Sequence, residues 1–138
     1  MKKKRITKKQ IKKIERRALK KKDLEWAKAV KFRWANRCMV CWHMFGVINT
    51  KYLNSHHLVP REIKELRHDL RNGICVCVRH HKFDRFFSFH RNPLLMINWL
   101  LEYNSEDINY LLTRLTEIRK NYLNKSIEKL KILGLKNE

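Results

Sequence analysis

Residues 71–81 read Arg71-Asn72-Gly73-Ile74-Cys75-Val76-Cys77-Val78-Arg79-His80-His81, and the way this stretch ends decides how the rest of the chain is read. Cys77 and His80 are separated by two residues, the same pitch that separates Cys38 from Cys41 in Cys38-Met39-Val40-Cys41. A two-residue spacer lets both side chains of a turn converge on one ion, and two such turns supply the four ligands, at about 2.0–2.3 Å, of a closed tetrahedral zinc site. The expected set is Cys38, Cys41, Cys77 and His80. Cys75 shares a strand face with Cys77 if residues 73–77 are extended, but only Cys77 gives the matching spacing. Cys75 is then a small buried hydrophobe. The alternative is a group of buried thiols without a metal.

Composition points the same way. Of 138 residues, 33 are Lys or Arg and 13 are Asp or Glu, so the net charge is +20, which implies a polyanionic partner. The length suits one domain with one modest core, the kind that gains most from a metal clip. No apolar run is long enough to span a membrane, and the lysine-rich start is not followed by the apolar stretch of a signal peptide. A cytoplasmic protein is expected, in which close cysteine pairs suggest metal before disulfides.

Residues 1–22 hold 13 Lys or Arg against one acid, Glu15, and Lys2, Lys3, Lys4 and Arg5 at their start are expected nucleic-acid contacts. Thr7 followed by Gln10 reads as a capping box, and Ile11, Ile14, Ala18 and Leu19 recur at helical spacing, so this segment is a basic helix or a solvated arm. Between Asp23 and Asn36 there is no Gly or Pro, and Trp26, Val30 and Trp34 fall at i, i+4 and i+8. That pattern predicts a helix with a buried aromatic stripe. Asn92-Pro93 starts another helix, and Ser105 caps a further one whose apolar face runs from Ile108 through Leu111, Leu112, Leu115, Ile118, Tyr122 and Leu123 to a stop at Gly134. The face either packs on its own domain or forms a dimer seam. The chain therefore divides into a basic segment 1–22, a site-bearing core 23–91 and a helical extension 92–138.

Within the core, Ser55-His56-His57-Leu58-Val59-Pro60 precedes Asn72-Gly73-Ile74 and the doublet His80-His81. Taken in order, Cys38-x2-Cys41, His56-His57-x2-Pro60, Asn72-Gly73-Ile74 and Cys77-x2-His80-His81 resemble the HNH endonuclease family in its zinc-containing form, over residues 38 to about 90. The resemblance implies an α+β fold with a small ββα-metal core: a strand ending near His57, a strand after Asn72 and a helix through His81, flanked by N- and C-terminal helices. It implies that His56 ligates a catalytic ion, Mg2+ or Mn2+, with His81 as second ligand, that His57 is the general base, and that Asn72 ties down the loop carrying it. Vicinal strand residues point to opposite faces, as that division of labour needs. Two departures stand out. His80 occupies a place where many relatives have a fourth cysteine, and Arg85 stands where a further metal-binding histidine is often found. His90 replaces it if residues 86–89 form a loop.

Arg61, Arg85 and Arg91 lie nearest the histidines in sequence and are the expected phosphate contacts. Phe83, Phe86, Phe87 and Phe89 are expected to pack the helix against the zinc lobe, and His43 and His68 to be ordinary surface or core residues. The expected activity is hydrolysis of nucleic acid, DNA in the first instance. Its rivals are a zinc-stabilised nucleic-acid-binding module without catalysis and a branched-DNA resolvase that dimerises through the C-terminal helices.

Overall fold

The structure is a computed structural model describing residues 6–134. It is α+β, with helices and, among the described residues, one two-stranded sheet. The elements are α1 (Lys8–Arg33), α2 (Met39–Phe45), β1 (Leu53–His57), β2 (Gly73–Cys77), α3 (Pro93–Tyr103) and α4 (Ser105–Ile132). Two compact units divide between Met96 and Ile97. No described helix is long and apolar enough to cross a membrane.

The basic segment and the aromatic stripe are one helix. Thr7 and Gln10 form the capping box, with Gln10 N–H donating to Thr7 Oγ1 at 3.2 Å and Thr7 N–H donating to Gln10 Oε1 at 2.8 Å. From there α1 runs 26 residues without interruption. Lys2, Lys3, Lys4 and Arg5 lie outside the described residues. The helix ends at Arg33, short of the expected Asn36, because Ala35 and Asn36 take left-handed backbone (φ 52° and 50°). Trp34 is consequently a cap residue and not a member of the stripe, and its indole N–H donates to the Gly73 carbonyl at 2.8 Å.

The sheet is antiparallel, with Leu53 opposite Cys77 and His57 opposite Gly73. The last two turns of α1 lie across it. Trp26 and Val30 are buried, and Ser55 Oγ donates to the Ala27 carbonyl at 2.6 Å. Gly73 allows this approach, since a Cβ there would stand within 3.0 Å of Val30 and Trp26 side-chain atoms. The core of this unit is Trp26, Val30, Met39, Val40, Val59, Leu66, Ile74, Val76 and Phe89.

After β2 the expected helix through His81 is a single π turn, Arg79–Phe83, closed when Asp84 N–H donates to the Arg79 carbonyl. Asp84 then accepts from the Phe86 and Phe87 N–H groups and pairs with Arg79, which shapes residues 84–87 into a loop. The phenylalanines do not all pack as expected. Phe89 is buried and Phe87 meets Phe45 edge to face, but Phe83 and Phe86 stand exposed. A π turn of five residues is too short to give them a common face against the core.

In the second unit α4 is capped by Asn104, not Ser105, and Asn104 Nδ2 donates to Asp107 Oδ2 at 2.8 Å. Gly134 ends the segment in the left-handed region (φ 74°), as its position suggested. Ile108 and Leu111 are buried, whereas Tyr122, Leu123, Ile127, Leu130 and Leu133 are exposed. Leu115 and Ile118 are half-buried, so among the described residues burial of this face declines along the helix toward its C-terminal end.

Candidate metal centres and their histidines

Two groups of ligand-type side chains form in the first unit: Cys38, Cys41, Cys77 and His80, and His56, His81 and His90. In the first, Cys38 is the N-cap of α2, so its sulfur accepts from Cys41 N–H at 3.5 Å and the two thiols are drawn to the same side of the turn. The second knuckle comes from the end of β2 and the π turn. His80 Nδ1 lies 3.5 Å from Cys38 Sγ, 3.5 Å from Cys41 Sγ and 3.4 Å from Cys77 Sγ, while Cys41 Sγ and Cys77 Sγ are 4.0 Å apart. Ligand–metal lengths of about 2.3 Å for sulfur and 2.0–2.1 Å for nitrogen place the corners of a tetrahedron roughly 3.5–3.8 Å apart. The donor set therefore fits a structural metal ion such as zinc.

The electrostatics set a condition on any occupant. Burial pushes the Cys38 thiol up to about 12 and raises Cys41, so thiolates here need a compensating positive charge, which a dication provides. Burial lowers His80, keeping it in the neutral form that ligates. Asn49 Nδ2 donates to Cys41 Sγ at 3.6 Å, an outer contact that no spacing rule revealed. Cys75 is buried outside the cluster, and burial pushes its thiol up to about 11.

The second group assembles through three different segments. His56 comes from β1, His81 from the π turn and His90 from the loop after it. The ring centroids are 5.2 Å apart for His56–His81, 5.2 Å for His56–His90 and 4.6 Å for His81–His90, with the Nε2 atoms of His81 and His90 at 3.1 Å. Residues 86–89 do form a loop, and His90 N–H donates to the His81 carbonyl at 3.2 Å. Burial, then the neighbouring imidazoles, hold His56 down at about 3, and burial followed by His90 and Lys82 holds His81 down at about 4. Both are neutral near pH 7 with lone pairs free to ligate. Neighbouring nitrogens on one ion stand roughly 3.0–3.4 Å apart at metal–nitrogen lengths of about 2.1 Å, which the His81–His90 pair meets, and the three ligand atoms lie within 4.8 Å of one another, so the group could hold a metal ion.

His57 faces the other way. Its ring stacks on Trp26 (centroids 3.7 Å apart, 11° between planes), and its Nε2–H donates to the Arg67 carbonyl at 2.9 Å. A carbonyl oxygen can only accept, so Nε2 carries the proton and Nδ1 is the basic nitrogen. Burial, opposed by that hydrogen bond, lowers the His57 pKa, and Arg61 lowers it further. Asn72 is fully buried and closes the loop between the strands: its Oδ1 accepts from Val59 N–H at 2.6 Å, and its Nδ2 donates to the carbonyls of Val59 (3.0 Å) and Leu66 (2.9 Å).

Four residues, Asp23, Trp26, Arg67 and His68, form surroundings of His57 that the sequence did not connect to it. Asp23 of α1 takes a bidentate contact from Arg67 at 2.8 and 2.7 Å and a third from His68 at 2.9 Å. The arginine is the residue whose carbonyl holds His57. Trp26, read only as a core aromatic, also donates from its indole N–H to the Asp69 carbonyl at 2.9 Å. His68 is thus a partner of Asp23, while His43 is an exposed residue edge-on to Trp42. Arg61, Arg85 and Arg91 are all exposed, with the Arg85 guanidinium over the Phe86 ring. No family model, no curated protein and no solved structure matches the chain significantly.

Proposed function

We propose that this chain is a metal-dependent nuclease of the HNH type, hydrolysing phosphodiester bonds of nucleic acid, with DNA the expected substrate. The observation that supports this most is the division of two adjacent histidines across β1: His56 joins the nitrogen cluster with His81 and His90, while His57 has one ring nitrogen tied to a carbonyl and the other left basic. Metal binding alone needs no such second histidine. In this reading His57 Nδ1 accepts the proton of the water whose oxygen bonds to phosphorus, and the P–O3′ bond breaks with its electron pair going to the 3′-oxygen, which takes a proton from solvent water, leaving a 5′-phosphate and a 3′-hydroxyl. His56, His81 and His90 would hold the cation, which would supply neutralisation of the negative charge that develops during hydrolysis. An all-nitrogen donor set suits Mn2+ or another transition-metal ion better than Mg2+, which prefers oxygen. Asn72 keeps the loop that carries the Arg67 carbonyl in place, and the exposed Arg61, Arg85 and Arg91 are the expected phosphate contacts. The Cys38, Cys41, Cys77 and His80 site is structural.

The test is incubation of wild type and His57→Ala with supercoiled plasmid, single strands and a four-way junction, each with Mn2+, with Mg2+ and without metal. His57→Ala should lose cleavage by about 10²–10⁴-fold while keeping zinc content, folding and nucleic-acid affinity. His56→Ala and His81→Ala should instead raise the metal concentration needed and recover partly when more is added. Cleavage by His57→Ala at near wild-type rate would overturn the mechanism in favour of a zinc-stabilised binding module. Junction-selective cutting by a dimeric protein would identify a resolvase.

A further inference from the structure

The cations of α1 are not spread evenly about its axis. Lys9, Lys13, Arg16 and Lys20 follow one another at intervals of four, three and four residues, which places them in a single row along the helix. Continued by the same intervals, the row passes through Asp23, Ala27 and Val30. Those three residues belong to the face that packs on the site: Asp23 grips Arg67, the Ala27 carbonyl takes the Ser55 hydroxyl, and Val30 is buried beside Gly73. The row therefore leads to the loop that holds His57. A groove beside it is lined by Lys13, Arg16, Lys20 and Asp23 of the row together with Arg17, Leu19 and Arg67.

From Lys9 to Asp23 the row spans 14 residues, roughly 21 Å of helix rise. All residues from Lys8 to Lys22 are exposed, and the only acid among them is Glu15, which lies off the row. Like charges four residues apart, as in Lys9–Lys13 and Arg16–Lys20, destabilise an isolated helix. They are suited to a partner that brings negative charge along the same line. Resting on the nuclease reading above, we infer that this face of α1 is a track for the phosphate backbone flanking the scissile bond on one side. Its length corresponds to about six base-pair steps of duplex at 3.4 Å each.

Direction along the helix face, rather than total charge, is what the experiment has to isolate. The triple variant Lys13→Gln/Arg16→Gln/Lys20→Gln is compared with Lys21→Gln/Lys22→Gln/Lys28→Gln, which removes the same charge from other sides of the same helix. Gln is about as good a helix former as Lys or Arg, so both variants keep α1, as circular dichroism would verify. Binding of a 20-base-pair DNA duplex is measured across a salt series at fixed pH. Each lost phosphate contact reduces the log–log slope by about 0.9, so the row variant should lose about 2–3 and the control variant less than 1. Equal losses in the two variants would overturn the track and leave undirected charge. The slopes are read from binding, so they remain decisive even if wild type proves unable to cut, an outcome that would count against the nuclease reading alone.

Discussion

At the scale of single residues, Asn72 shows how one buried side chain sets the geometry around His57. It satisfies the Val59 N–H and two carbonyls inside the loop between the strands, and it is itself 0% exposed. Truncation to Ala leaves a buried N–H and two carbonyls without these partners, so Asn72→Ala should lose roughly 2–4 kcal/mol of stability in denaturant unfolding. If the loop positions the base, the same variant should cut more slowly at saturating substrate while its tightly held zinc remains. Unchanged unfolding would show that the loop is held by something else. The residue types here were legible from sequence as a pattern of His, Asn and His, but the hydrogen-bond partners of Asn72 depend on how residues 58–72 close, which no local spacing encodes.

At the scale of elements, α1 does more than shelter the sheet. It brings Asp23 to the Arg67 and His68 side chains and the Trp26 indole N–H to the Asp69 carbonyl, so the helix fixes the loop whose Arg67 carbonyl accepts from His57. The Arg67 guanidinium beside Asp23 holds its carboxyl down at about 2, against 3.8 ordinarily, with His68 assisting and partial burial opposing. A depressed carboxylate stabilises the folded state fully above the unfolded value near 3.8, and that contribution is lost as pH falls toward 2. Wild type should thus lose up to about 2 kcal/mol between pH 4 and 2, less whatever solvent screens at this partly exposed site. Asp23→Asn should lack this component of the acid dependence and be less stable at neutral pH. Parallel stability–pH curves for the two proteins would count against the contact. The capping box that starts α1 was readable because it spans three residues; the contact from Asp23 to Arg67 was not, because it spans 44.

For the whole molecule, the Cys38, Cys41, Cys77 and His80 cluster joins α2 to the end of β2, tying the first knuckle to the segment that also carries His81. A unit of this size with a single two-stranded sheet relies on such a clip, and structural zinc contributes on the order of 10 kcal/mol in small metal domains. One zinc per chain should survive dialysis, while an ion at the three histidines should exchange. Strong chelation should unfold the first unit, followed by loss of near-ultraviolet dichroism. Cys77→Ser should lose the retained zinc and Cys75→Ser should keep it. Metal-free protein that stays folded, with all four thiols titratable, would overturn the structural role.

What the sequence by itself determined lies within a few residues of chain. The two knuckles are set by their spacers, the opposed directions of His56 and His57 by strand alternation, and the start of α3 by Asn92-Pro93. Tertiary structure alone decided what those groups meet. His90 reaches His81 because Asp84 bends the chain after the π turn, Trp26 lies flat on His57 because Gly73 lets α1 approach, and the basic row of α1 leads to the site because the helix continues unbroken into the packed face. Periodicity tells which residues share a face of one element. Which faces come together depends on steric fit and hydrogen-bond closure between segments far apart in the chain, and that is settled only when the elements pack.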